Sequence, residues 1–313
     1  MGDWRRSIGD VIKEERPGLE ERMPMYGGQA VIEGVMMRGT RACAVAVRAP
    51  DASIRIDVKD LSTIYRGRLA KTPFVRGLLI LWDALVLGMG ALTFSANVQA
   101  GEDSKIEGAP LTITIVFSLA VGIGFFFLLP VGAALFIERI FAWPGWWTNF
   151  LEGLIRLAIL LGYIWAIGFI PDIRRVYGYH GAEHMTINAY EAHAPLTVES
   201  VSSYSRLHAR CGTAFLLTVV VLSILIFSAL GPLPLAWRLL SRLVLLPVLA
   251  SLAYEYIRLS ARLSHYPLIR PLFAPNLAMQ ELTTRRPEPQ MVEVAIAAFQ
   301  ALQSAEGSAS NPA

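Results

Sequence analysis

The stretch Leu111-Thr112-Ile113-Thr114-Ile115-Val116-Phe117-Ser118-Leu119-Ala120-Val121-Gly122-Ile123-Gly124-Phe125-Phe126-Phe127-Leu128-Leu129-Pro130-Val131-Gly132-Ala133-Ala134-Leu135-Phe136-Ile137 contains no charged side chain. A bilayer core about 30 Å thick takes roughly 20 apolar residues to cross as a helix, and this run exceeds that length. Gly122, Gly124, Pro130 and Gly132 interrupt it. A membrane helix tolerates such residues because neighbouring helices satisfy the freed backbone groups, and a kink is expected near Pro130. Three further stretches qualify as spans: Phe150 to Ile170, Thr213 to Leu235 and Leu239 to Ile257. The last two are separated by Gly231-Pro232-Leu233-Pro234, a turn signal that predicts an antiparallel hairpin. Trp143, Trp146, Trp147 and Trp237 fall at span ends, where indole rings favour the headgroup layer.

Composition agrees with that reading. Of 313 residues, 54% are hydrophobic and only 17% charged, too apolar for a soluble domain of this size. The net charge of +3 is small and scattered, which excludes the concentrated basic face of a nucleic-acid binder. Cys43 and Cys211 lie far apart in sequence, on segments expected to face the cytoplasm, so no structural disulfide is expected. Met1 to Gly28 is charged and lacks the short apolar core of a cleavable signal peptide, so insertion is expected to depend on the internal spans.

Phe74 to Asn97 is also apolar and long, but it contains Arg76 and Asp83. If it stays on one side, four spans put three basic groups together: Arg38, Arg66, Arg68 and Lys71 ahead of them, Arg174, Arg175, Arg206 and Arg210 between, and Arg258, Arg262, Arg285 and Arg286 after them. The positive-inside rule makes that side cytoplasmic, with both termini there, and favours an interfacial or re-entrant helix for Phe74 to Asn97. The expected fold is thus mainly α: a polytopic membrane bundle of about four spans plus one interfacial helix, in the cell (inner) membrane. Its parts are a charged segment over 1–25, a small β-containing cytoplasmic unit over 26–72, the interfacial helix and loop over 73–110, two spans over 111–170, a His-rich loop over 171–212, a transmembrane hairpin over 213–257 and a tail over 258–313.

In the cytoplasmic unit, Ala44 to Arg48 and Ile54 to Val58 flank Ala49-Pro50-Asp51-Ala52-Ser53 and read as a hairpin. Gly27 to Gly39 reads as a glycine-bounded strand. Its charges, Glu33 and Arg38, either pair locally or point into a site formed by the His-rich loop. In the tail, Pro267, Pro271 and Pro275 are expected to break any helix, leaving Asn276 to Arg286 as a loop. Glu288 to Ser304 follows as an amphipathic helix, with Val292, Ala295, Ile296 and Phe299 docking on the cytoplasmic unit, and Glu306 to Ala313 reads as disordered.

Chemistry concentrates in one region. The chain has 5 histidines and 2 cysteines, and His180, His184, His193, His208 and Cys211 all fall between the second and third spans. His180-Gly181-Ala182-Glu183-His184 stacks two imidazoles one helical turn apart with a carboxylate beside them. His-x-x-Glu-His is the inverted zincin signature, in which both histidines hold zinc and the glutamate is the general base. A metal-free polar cluster, or plain helix-face residues at the membrane surface, would use the same residues. Glu255, near the end of the last span with Arg258 three residues on, is a further candidate to reach the site from the membrane side.

The runs Gly27 to Gly39, Tyr179 to His184, His208-Ala209-Arg210-Cys211-Gly212-Thr213 and Leu282-Thr283-Thr284 resemble the YqhQ family of bacterial membrane proteins, in the same order from Tyr26 to about Ala298. The resemblance implies a predicted metal-dependent enzyme with no assigned reaction. It also implies that His180, Glu183, His184, Glu191, His208, Arg210 and Cys211 belong to the family's polar motifs. Met185 departs from the pattern, which carries lysine there, so a cation beside the site is missing in this chain.

Helical spacing limits which groups share one ion. Glu191 lies about two turns, or roughly 10 Å, beyond His184, so the third ligand is expected from His208 or Cys211. Two histidines with a cysteine, or three histidines, plus an open position suit catalytic zinc. Glu183 would then be the base towards zinc-activated water, with Glu191 or Asn188 orienting the His184 ring. Two functions stay open. One is a metal-dependent hydrolase at the cytoplasmic membrane interface, acting on a lipid-linked molecule or membrane-associated peptide. The other is a non-enzymatic assembly, translocation or transport factor whose polar loop binds a partner.

Overall fold

The computed structural model describes residues 26–62, 67, 72–101, 108–141, 145–208, 211–263 and 270–308. The charged segment 1–25, Trp143, Arg66, Arg68, Lys71, Arg210, Pro267 and residues 309–313, named above, lie outside them.

Four strands form an antiparallel sheet in chain order: β1 (Gly27–Val31), β2 (Gly34–Arg38), β3 (Ala42–Arg48) and β4 (Ile54–Asp60). The register pairs Val31 with Gly34 and Arg48 with Ile54. Gly27 to Gly39 is therefore two strands, not one. The turn at Ile32-Glu33 puts Glu33 in the left-handed region (φ 53°), a conformation rare for a residue other than glycine and unmarked in the sequence.

Nine helices follow among the described residues. They are α1 (Val75–Ala100), α2 (Ala109–Phe141), α3 (Gly145–Ile167), α4 (Pro171–Glu191), α5 (Val198–Ser202), α6 (Thr213–Ala229), α7 (Leu235–Leu263), α8 (Arg270–Thr283) and α9 (Pro289–Ser308). Four of them, α1, α2, α3 and α7, are long and apolar enough to cross a membrane. The set differs from the expected four. It includes α1, which forms one unbroken helix, and leaves out α6, whose 17 residues fall short of the other spans. Ile113, Val116, Phe117, Leu119 and Val121 on α2 are exposed, and nothing in its first 15 residues is buried. So large an apolar surface is unsuited to water and points to a membrane protein.

At Pro130, α2 stays continuous through a wider π segment, Gly124–Leu128. Proline offers no N–H to the carbonyl four residues back, and Arg156 of α3 donates to that carbonyl, Phe126 O, at 3.2 Å. The expected loop over Asn276 to Arg286 is mostly α8. Pro271 lies in the first turn, where an N–H has no helical partner anyway, and Pro275 stands inside the helix at the cost of one backbone hydrogen bond, so the expected break does not occur.

The described core outside the spans joins the sheet, α4 and α9. Val35, Met37, Ala44 and Ala46 of the sheet pack with Tyr179, Ala182 and Met185 of α4 and with Val292, Ala295, Phe299 and Leu302 of α9. α9 extends past Ser304, and Glu306 is ordered: its Oε1 accepts the N–H groups of Thr40 and Arg41 at 2.6 and 2.8 Å. The opposite sheet face, with Val31, Met36, Val45 and Val47, covers Ala91 of α1. Site-bearing α4 is thus fixed between the sheet and the end of the helical bundle.

Candidate metal centre

The His180 to His184 run occupies the middle of α4. Pro171 opens that helix with its fixed φ, and Asp172 complements the positive helix end. Helical spacing sets the His180 and His184 rings 4.4 Å apart, centroid to centroid. Cys211 stands just ahead of α6. Its Sγ lies 3.3 Å from His180 Nε2, and the Thr213 N–H donates to it at 3.4 Å. One donor atom from each of His180, His184 and Cys211 lies within 4.8 Å of the others. Zinc bonds of about 2.0–2.3 Å in a tetrahedron put ligand atoms roughly 3.5 Å apart, so small movements would close the three on a cation.

The far side of each ring is anchored. His180 Nδ1 lies 3.0 Å from Thr283 O, and His184 Nδ1 lies 2.7 Å from Arg206 O. A carbonyl only accepts, so each Nδ1 carries a hydrogen, and His180 Nε2 is left towards the cysteine. His184 Nε2 is buried and has no hydrogen-bond partner among the described residues. Glu183 is buried too, with Oε2 equally unpartnered. Its carboxylate rests on β1, where the Gly28 N–H donates to it. A Cβ at Gly28 would stand 2.9 Å from Glu183 Oε1 and 2.5 Å from Met36 O, so this approach requires glycine.

Charge in the cluster is strongly coupled. Burial disfavours a thiolate at Cys211, but the imidazoles of His184 and His180 outweigh it and hold the thiol well below its ordinary range. Burial likewise pulls His180 down, yet Cys211 more than offsets this and raises it to about 9. Each side thus favours the charged form of the other, the histidines the thiolate and Cys211 the imidazolium. Burial raises the Glu183 carboxyl, against the lowering effect of both imidazoles.

The groups that hold these carbonyls come from elements distant in sequence. Asn188 Nδ2 donates to Ser205 O at 2.7 Å and Leu207 O at 3.0 Å, bracketing the Arg206 carbonyl that receives His184. Arg206 itself donates to Thr284 O at 2.8 Å and pairs with Glu281. Gly181 lets the following segment close in, since a Cβ there would meet Arg285 O at 2.2 Å.

Several expected site residues lie elsewhere. His208 does not enter the donor cluster: Gln280 clamps its backbone through N–H to Oε1 and Nε2 to O contacts, both 2.9 Å, and its ring faces Glu191 at 3.5 Å. Glu191 therefore meets His208 and not His184. Asn188 reaches the loop carbonyls instead of the His184 ring. Glu33 turns to α4, pairing with Arg175 and accepting from Tyr179 Oη at 3.1 Å; Arg175 holds its carboxyl below the usual range. Arg38 pairs with Asp83 of α1, Nε to Oδ2 2.6 Å. Glu255 accepts from Arg76 Nε at 2.7 Å, a partner supplied by α1 and not by Arg258, so neither it nor Arg38 reaches the cluster. Gln280 and the Thr283 and Arg206 carbonyls were not recognisable as site elements; the Leu282 to Thr284 run alone drew attention to that segment.

These features define a largely helical, membrane-type protein with a buried two-imidazole, one-thiol cluster at one end of its bundle. The chain belongs to the family described as "Protein of unknown function (DUF1385)", whose model matches residues 72–305. It is 36% identical over 296 residues to the "Uncharacterized protein YqhQ" of Bacillus subtilis (strain 168), covering 89% of this chain and 92% of that one. No solved structure matches it.

Proposed function

We propose that this chain is a metal-dependent hydrolase of the cell (inner) membrane, with its centre at the cytoplasmic interface and a lipid-linked molecule or membrane-associated peptide as substrate. The observation that carries the reading is the pair of imidazoles tied at Nδ1 to backbone carbonyls, with one donor atom from each of His180, His184 and Cys211 gathered within 4.8 Å. That is the usual arrangement of histidines that bind metal. His180, His184 and Cys211 would hold the ion, and the nitrogen and sulfur donors favour zinc. When bound, a divalent cation supplies Lewis-acid polarisation of a scissile carbonyl or phosphoryl group and acidifies water. Three protein ligands leave one coordination position open. Glu183 contributes the proton-transfer group, since burial moves its carboxyl upward, towards the range where an acid both accepts and releases a proton near neutrality.

The membrane placement draws support from α1. Asp83, Ala84, Ser95 and Gln99 all bond to the sheet or its turns, through Arg38, Gln29, Ile32 and Arg48. From residue 83 to 99 a helix rises about 24 Å, so the sheet accompanies α1 over most of its length. Trp82, Leu85, Val86 and Met89 are exposed instead. An amphipathic helix lying along the inner surface, its apolar side in lipid, accounts for both faces.

Metal analysis of the purified full-length chain beside His184→Ala tests the reading. About one zinc per wild-type chain, lost in the variant, is the expected outcome. Equal near-zero zinc, manganese and iron in both would leave the cluster as a metal-free, partner-binding element.

A further inference from the structure

We infer that the end of the bundle remote from the metal centre holds a binding site for a phosphate group, with Arg238 as its principal donor. Arg238 lies in the first turn of α7 and is 3% exposed, yet its Nε and Nη1 have no hydrogen-bond partner among the described residues. Glu138 of α2 forms a long ion pair with it, Oε2 to Nη2 3.9 Å, and that oxygen is itself without a hydrogen-bond partner among the described residues, so Glu138 offsets charge at Nη2 but leaves Nε and Nη1 unmet. Thr148 Oγ1 of α3 and Ser228 Oγ of α6 are buried and unpartnered as well. These groups share one level of the bundle. Gly145 abuts Pro232, and Asn149 Nδ2 donates to Gly231 O at 2.6 Å, so the start of α3, the end of α6 and the start of α7 meet there.

Glu152, the acid deeper in the bundle, cannot satisfy Arg238, because it is already used. Glu152 accepts from Arg156 at 2.7 Å and from Arg242 at 3.1 and 2.9 Å. Arg242 also takes Asn149 Oδ1 at 2.9 Å. Three buried or nearly buried guanidinium groups thus face two carboxylates, Glu152 and Glu138, leaving one positive charge in excess. Ala142, Trp143 and Pro144, which join α2 to α3 in the sequence, contain no acid. A buried guanidinium with free N–H groups calls for an anionic acceptor with several oxygens. A phosphate has oxygens enough to accept from Nε and Nη1 together, and a hydroxyl such as that of Thr148 or Ser228 is the kind of donor its other oxygens take. The positive start of α7 adds to the attraction.

The source favoured by placement is a phospholipid headgroup. Ser228 lies 15 residues along α6 from Thr213, about 22 Å at 1.5 Å per residue, so the two sites sit near opposite faces of a bilayer. Trp146 and Trp147, stacked at 4.2 Å between centroids and exposed, mark the headgroup level at this end.

The test is thermal unfolding of the purified full chain in nonionic detergent with phosphatidylglycerol, diacylglycerol or inorganic phosphate, for wild type and Arg238→Gln. A lipid headgroup site predicts a Tm rise of about 4 °C with phosphatidylglycerol, none with diacylglycerol, and loss of most of that rise in Arg238→Gln. The same rise with inorganic phosphate alone, again lost in the variant, supports the phosphate site and assigns it to the free anion. No rise with either phosphate source, or equal rises in both proteins, overturns the inference. Should Arg238→Gln fail to fold, Ser228→Ala replaces it: at least a halved rise is expected, and an unchanged one overturns the proposal.

Discussion

Asn188 touches none of the three candidate ligand side chains, yet its removal is expected to loosen the proposed metal centre. Its amide holds the Ser205 and Leu207 carbonyls at 2.7 and 3.0 Å, and so fixes the Arg206 carbonyl between them against His184 Nδ1. Two hydrogen bonds at about 0.5–1.5 kcal/mol each imply a loss of roughly 1–3 kcal/mol in Asn188→Ala. Loss of such outer support weakens metal affinity by about 10–100-fold. Asn188→Asp separates donation from volume, because a carboxylate has the same shape but no N–H to give the two carbonyls. It should weaken zinc at least as much as alanine does. The assay is zinc titration of the purified full chain against a fluorescent chelator, with Tm measured on the same samples. Zinc affinities within twofold of wild type in both variants, alongside a lowered Tm, would refute the claim that Asn188 positions His184.

Two other outcomes follow from the electrostatics. With His180 raised to about 9, the metal-free centre carries a proton on Nε2 that must leave when an ion binds. Zinc affinity should rise by about a decade per pH unit between pH 7 and 9 and then level off, with about one proton released near pH 7 in calorimetry run in two buffers. Glu306 anchors α9 to the β2–β3 turn, and its carboxyl is lowered: burial opposes this, but the Arg41 and Thr40 contacts outweigh burial. A depressed carboxylate stabilises the fold above its unfolded pKa, and that stabilisation is lost as pH falls through its folded value. Hydrogen exchange at Thr40 and Arg41 should speed up at least tenfold in Glu306→Ala and change little at β4 amides.

Much of the architecture was legible because it depends on local pattern. The charge-free run around Leu111 to Ile137 reads as a helix whatever its neighbours, and alternation in Ile54 to Val58 gives the β3–β4 hairpin. The His180, Glu183 and His184 spacing needs only a helix to converge. Cys211 was one of two third-ligand candidates, and the chain path places its Sγ beside the two histidines. His208 turns away because Gln280, 72 residues on, grips its backbone, a pairing with no local signature. Glu33 is drawn off by Arg175 for the same reason. Helix α8 was hidden by three prolines that read as breakers, although Pro271 lies where a helix tolerates one.

The most direct measurement is X-ray absorption at the zinc edge of the purified full chain and of Cys211→Ser. We predict one sulfur at about 2.3 Å and two nitrogens at about 2.0–2.1 Å in the wild type, with the sulfur shell absent from the variant. An environment of light atoms only, the same in both proteins, would contradict a metal centre built on His180, His184 and Cys211.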